Sequence, residues 1–558
     1  MEEGVDDGAT IAYMRTMSKT PFFSRVWGTL RGETTRERGA GREVREVREV
    51  RLGRREALLG GAALFGAAAV PGLVGCAGDG EPLVLGEVGS RLKKANVDIG
   101  IVGAGIAGVG CAYELKRYGV SATIHEASTR VGGRMFSMGG TNGGGIDWNG
   151  QVVERGGELI DTGHKTILAY ARELGLTLEE VTKPARDTFF HFGGQRIPEQ
   201  VFVDEYRALV DAMRDDLRTV GAPTPDAFTP AEAALDHMTL AEWLDRRGAA
   251  PNIKALLSIA YEIEYGVSTA EQSALAFLLF AKASRQSKLK LFGNFSDERY
   301  HVVEGNQQIP VRLAARLPGQ LRFGRKLVAA KKLSDGRVEL TFLEGSRTVR
   351  ATHDAVVFAL PFHLLREVSL DASLGFPAWK TDAIRRALSG ANTKLMVGFS
   401  SRPWIDQGGS GATYSDMPAL QATWETNPSL GNTTRGVLTS YSGGALARSL
   451  DPSRTQAEAT RFLDTLDRIV PGAKAAARVQ SGKIVSHMEA WDKNPLARGG
   501  YTANQPGYFT TLEGLAGKPV GNVYFAGEMT DSFYGWQGFM EGGALSALRV
   551  VSEIARDL

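Results

Sequence analysis

The sequence predicts an α/β fold in which two domains are interleaved along one chain. Three observations predict it. The chain is 558 residues long, too much for one compact core. At "NVDIGIVGAGIAGVGCAYELKRYGV", Asn96–Val120, an apolar run, a glycine-rich turn and a helical pattern follow in order. Further on, a largely helical block at 166–299 and a block with strand-like runs at 390–490 interrupt the chain.

Composition narrows the class. Hydrophobic residues make up 43% and charged residues 23%, which is ordinary for a folded globular protein. The formal net charge of +2 provides no basic field, so nucleic acid is not an expected partner. The only cysteines are Cys76 and Cys111, and the 8 histidines show no ligand spacing, so no metal site is expected. The 68 glycines follow no repeat and mark tight turns instead.

Residues 1–53 are polar and arginine-rich, with "REVREVREV" at Arg42–Val50 and no apolar face, and are expected to form a disordered extension. Met14 and Met17 offer downstream starts. Residues 54–78 read as a signal peptide. Arg54 and Arg55 precede an uncharged stretch from Ala57 to Gly78, the pattern of Tat export to the periplasm or cell envelope. "LVGC", ending at Cys76, resembles a bacterial lipobox and would tether the protein to a membrane.

Val97–Val102 reads as a buried parallel strand, Ile106 to about Tyr118 as a helix, and Val120–His125 as a second strand. Gly103, Gly105 and Gly108 form GxGxxG between strand and helix. The first makes the tight turn, the second admits a pyrophosphate, and the third lets helix and strand pack closely. The helix start offers N–H groups to phosphate. Glu126, 23 residues past Gly103, is placed to accept ribose hydroxyls. The unit is a Rossmann-type dinucleotide site. Cys111, inside the helix, reads as a packing residue.

A second glycine pair follows in "TRVGGRMFS", where Gly132 and Gly133 lie between Arg130 and Arg134. Arg134 is suited to pyrophosphate charge. This stretch resembles the RxGGR segment of FAD-containing amine oxidases. The resemblance spans about residues 95–558 and includes "VVERGGELID", "GRKLVAAKKL" and "NVYFAGEMTDSFYGWQGFMEGG". It implies a two-domain architecture. Residues 95–165, 300–388 and 495–558 would bind FAD, and 166–299 and 390–494 would form an α+β substrate domain.

The resemblance also implies roles for single residues. Gly157 and Glu158 would lie beside the flavin ring, Val328 by the adenine and Glu528 at the ribityl chain. Gly527, Gln537, Met540 and Trp491 would complete the cofactor site. A helix starting near Gln537–Met540 would aim its N–H groups at the flavin N1–C2=O region. Lys394 would act on flavin N5 through a water, with burial favouring its neutral amine. Tyr501 and Phe539 would form an aromatic cage, with Trp536 framing it. Where some members attach FAD through cysteine, this chain has Gly500, so FAD is expected to be non-covalent.

The function implied is oxidation of a primary or secondary amine to an imine, with O2 reduced to H2O2. An L-amino acid oxidase is the alternative, and Arg155, Arg186 and Arg299 are its candidate carboxylate clamps. Glu158 and Glu262 are candidates for a distal cation on the substrate. More distant alternatives are a flavin desaturase, a porphyrinogen-type oxidase and a non-catalytic flavin-binding protein. A redox protein is an alternative electron acceptor to O2.

Overall fold

The computed structural model describes residues 97–182, 186–282, 291, 296–427 and 434–557. The stretches expected to form a disordered extension and an export signal, with Cys76, lie outside them.

Strand β1 (Ile99–Val102) leads through the glycine turn into helix α1 (Ile106–Arg117), and β2 (Ala122–His125) follows. Three strands from distant parts of the chain join them: β3 (Leu321–Arg322), β4 (Ala355–Phe358) and β5 (Val523–Phe525). The sheet order is β5-β4-β1-β2-β3, every pair parallel. All four residues of β1 and of β4 are buried, as covering both faces of a parallel sheet demands. The last helix, α2 (Met540–Asp557), crosses α1 closely. A Cβ added at Gly110 would stand 3.3 Å from the Ala547 Cβ, and one at Gly543 2.9 Å from the Ile106 side chain. Small residues set that spacing.

The other large unit is a seven-stranded sheet. Its order is Ser486–Ala490, Asn392–Phe399, Gly436–Gly443, Leu420–Glu425, Gly409–Met417, Asp187–Phe192 and Gln195–Ile197. Helices Glu199–Leu217 and Pro251–Tyr265 pack against it, Phe202 meeting Phe190 and Phe192, and Ala274–Ala281 packs on the helical layer through Phe277 against Tyr261 and Trp243. Helices Pro230–His237 and Leu240–Arg246 start with full capping boxes, Thr229 with Glu232 and Thr239 with Glu242.

The block read as largely helical thus also supplies strands. Asp187–Phe192 pairs parallel with Gly409–Met417, a contact that no local periodicity announces. Among the described residues no helix is long and apolar enough to cross a membrane.

Candidate active site

A cavity of about 1080 Å3 runs from the carboxyl ends of β1 and β2 to the seven-stranded sheet. Ligands of open α/β sheets bind at such carboxyl ends.

The three glycines of GxGxxG do different work. Gly103 has φ +106°, and an added Cβ would meet the Ala359 carbonyl at 2.6 Å. A Cβ at Gly108 would fall 1.9 Å from the Gly103 carbonyl oxygen. At Gly105 it would meet nothing within 4 Å and would project into open space. No side chain caps the start of α1 there, which leaves helix N–H groups for an anion. Glu126 is braced by backbone donors, Ala104 N–H to Oε2 at 2.7 Å and Ser128 N–H to Oε1 at 2.8 Å. Remaining lone pairs are available to hydroxyl donors. An open cradle, an uncapped helix start and a fixed carboxylate together fit a dinucleotide.

The second glycine pair closes the cradle. Gly132 N–H donates to the Ala104 carbonyl at 2.8 Å, laying this loop against the first turn. Arg130 donates to the Gly133 carbonyl at 2.7 Å and covers the Phe136 ring at 3.6 Å. Arg134 donates to the Gly500 carbonyl at 2.6 Å and pairs with Glu528 at 2.9 Å. The arginine expected on pyrophosphate is therefore also the counter-charge of Glu528. The other Glu528 oxygen accepts from Thr502 Oγ1 at 2.8 Å and from Gly538 N–H at 3.0 Å.

Around this frame, Gly157 makes room for Met540, whose sulfur would lie 2.7 Å from an added Cβ. Trp491 donates Nε1–H to the Arg155 carbonyl at 2.9 Å. Gln537 is fixed by Asn504 at 2.8 Å and donates to the Tyr508 hydroxyl at 2.6 Å. Val328, Gly527, Gln537, Met540 and Trp491 all line the cavity.

Toward the seven-stranded sheet the lining changes to aromatic and ionisable groups. Lys394 and Glu158 form a buried ion pair at 2.6 Å. The Tyr501 and Tyr441 hydroxyls lie 3.3 Å apart, and Trp424 meets the Tyr441 ring edge-on at 5.2 Å. Burial pushes both phenols up, so they are neutral. Phe539 lines the same cavity, and its neighbour Gly538 approaches the Tyr501 ring, an added Cβ lying 3.7 Å from it. Trp536 stands back from the lining. It meets Phe539 edge-on at 5.5 Å and covers Gly163, where a Cβ would be 2.7 Å from its ring.

The sequence passed over Tyr441, Trp424 and Glu264, which also line the cavity. Tyr441 lies directly opposite Lys394 in the antiparallel register, so both point to one face. That signal exists only once the two strands are paired. Burial, then the Glu298 and Asp161 charges, push the Glu264 carboxyl up to about 8.

The candidate charged contacts separate clearly. Arg155 is held by Glu489 at 2.6 Å and by the Phe136 face at 3.8 Å. Arg299 pairs with Glu180 at 3.1 Å and is not in the lining. Arg186 does line the cavity. Glu262 accepts from Ala445 N–H at 3.2 Å and does not line it. Glu158 is occupied by Lys394.

Residues 106–555 match the family model of flavin containing amine oxidoreductases. Canine amine oxidase [flavin-containing] B is 24% identical over 472 residues, covering 82% of this chain and 86% of that protein. The flavin-dependent L-tryptophan oxidase of Lentzea aerocolonigenes is 26% identical over 495 residues, covering 83% and 99%. Among solved structures, cyclohexylamine oxidase from Brevibacterium oxydans superposes with a TM-score of 0.68 at 24% identity, covering 83% and 99%. Putrescine oxidase bound to putrescine gives 0.67 at 21% identity, covering 82% and 98%. With the cradle, the second glycine pair and the aromatic cavity in one chain, this protein belongs to the flavin-containing amine oxidoreductase family and is an FAD-dependent amine oxidase.

Proposed function

We propose that the protein oxidises a primary or secondary amine to an imine and passes the electrons to O2, releasing H2O2. The amine loses one hydrogen from its α-carbon and one from nitrogen, with two electrons, as the C=N bond forms. Oxygen takes up two electrons and two protons. Water then hydrolyses the imine to an aldehyde or ketone and ammonia or an amine. FAD, when bound, supplies the two-electron chemistry.

The observation that carries this reading is the hydroxyl-linked Tyr501–Tyr441 pair, sharing one cavity with Phe539, Lys394 and the dinucleotide cradle. Neutral aromatic faces attract an amine and orient its lone pair, while their bulk excludes water. FAD would be held by Gly105, Glu126, the α1 start and the Arg130–Arg134 loop, without a covalent bond. At Gly500 an added Cβ would lie 2.4 Å from Asn392 Oδ1, so this chain has no room for a linking side chain there.

Anaerobic titration of the purified holoenzyme with simple amines is expected to bleach the oxidised flavin bands. An L-amino acid substrate is the second reading, favoured by Arg186 in the cavity lining and by the L-tryptophan oxidase relative. Bleaching confined to L-amino acids, and lost in Arg186→Ala, would select it. The same proposal includes Tat export and lipidation at Cys76. It predicts that replacing Arg54 and Arg55 by lysine retains the protein in the cytoplasm, as read by cell fractionation.

A further inference from the structure

The Lys394–Glu158 ion pair is more elaborate than a site that only shelters a lysine. Lys394 Nζ donates to Glu158 Oε2 at 2.6 Å, to the Gly156 carbonyl at 2.7 Å and to the Glu154 carbonyl at 3.3 Å. Three acceptors match the three protons of an ammonium. The other Glu158 oxygen accepts from Trp424 Nε1–H at 3.0 Å. The two side chains are only 7% and 5% exposed. Lys394 and Trp424 come from the seven-stranded sheet, and Glu158 and Gly156 from the loop beside the dinucleotide cradle. The pair therefore joins the two units at the wall of the cavity they share.

Other charged groups near Lys394 are already committed. The Glu154 carboxyl accepts from Asn306 N–H and Ser137 Oγ, and burial pushes it up to about 8, largely uncharged at neutral pH. Glu489, opposite Lys394 on the neighbouring strand, is bound by Arg155 and faces His487 at 3.5 Å. Tyr441, opposite on the other side, is a neutral phenol. That leaves Glu158 as the counter-charge.

We propose that Glu158 is a positioning residue that holds Lys394 as an oriented ammonium and that the two act as a unit when O2 is reduced. The inference rests on the amine-oxidising reading for its place in the cycle. Dioxygen acquires negative charge with its first electron, and a fixed cation stabilises that charge. It then accepts a second electron and two protons and departs as hydrogen peroxide. No bond to Lys394 forms or breaks. A buried lysine without a counter-charge would instead shed its proton.

The test is a double-mutant cycle on holoenzyme reduced by light, which needs no amine. Mixed with O2, Glu158→Gln and Lys394→Met are each expected to reoxidise about tenfold more slowly. The double variant should be no slower than Lys394→Met, and Glu158→Asp should recover part of the rate. Reoxidation in Glu158→Gln should decline at lower pH than in the wild type, because the ammonium has lost its counter-charge. In the apoprotein, Glu158→Gln should lower the unfolding midpoint and the double variant should restore part of it. Should Glu158→Gln not fold, Trp424→Phe, which releases one Glu158 oxygen, should give a smaller slowing with the same pH displacement. Wild-type reoxidation in these variants, or effects that multiply in the double variant, would overturn the proposal. Failure of the amine reading shows separately, as amines that do not reduce the wild-type flavin.

Discussion

At the residue scale, the three glycines of the first turn make opposed predictions. Gly108→Ala drives a methyl into the Gly103 carbonyl, 1.9 Å from the new atom, and should destabilise the apoprotein by about 3 kcal/mol or more in urea unfolding. Gly105 has φ −69° and ψ 179°, which alanine adopts freely, and its Cβ would meet no protein atom. Gly105→Ala should leave apoprotein stability within about 0.5 kcal/mol while weakening FAD binding about tenfold, as fluorescence titration would show. GxGxxG was legible because its chemistry is local: turn, approach and packing all fall within six residues. The Arg134–Glu528 pair was not, because its members are brought together only by the β1–β4–β5 order. Each was read separately as a cofactor contact.

At the element scale, legibility followed sequence distance. Helix α1 and the strands around it carry their own periodicity and bounding glycines, and Ile106–Arg117 lies where the pattern put it. Asp187–Phe192 was absorbed into a helical block because its partner, Gly409–Met417, lies far along the chain. Its six residues, "DTFFHF", end in four consecutive buried positions and show no alternation that would mark a strand among helical neighbours. Phe189, 1% exposed, fills the space left by Gly409, where a Cβ would lie 2.4 Å from the ring. Phe189→Ala should therefore cost about 3–5 kcal/mol in denaturant unfolding, the signature of a real sheet joint. Little or no change would mean that this strand is not part of the packed sheet. The aromatic wall follows the same logic. Tyr501 and Phe539 could be named from resemblance, whereas Tyr441 needed the strand register that sets it opposite Lys394.

At the scale of the whole molecule, interleaving places the cavity between units built from alternating pieces of chain. Packing these units together also buries carboxyls outside the cavity lining. Burial pushes Glu154 up to about 8, and Glu513 and Glu541 up to about 7. A carboxyl with a raised pKa keeps its proton in the folded state while the unfolded chain has released it. Its stabilising contribution is present below the ordinary carboxylate pKa and is lost as pH rises through the raised value. The apoprotein's melting temperature is therefore expected to decline from about pH 5 to pH 8, with Glu154→Gln flattening part of the slope. A melting temperature that rises across that window would contradict this assignment. Chemistry at the junction of the units is read by the anaerobic amine titration. Loss of the oxidised flavin bands on adding a simple amine, followed by their return with H2O2 when oxygen is admitted, is the predicted result. Bound FAD that neither simple amines nor L-amino acids can bleach would contradict it.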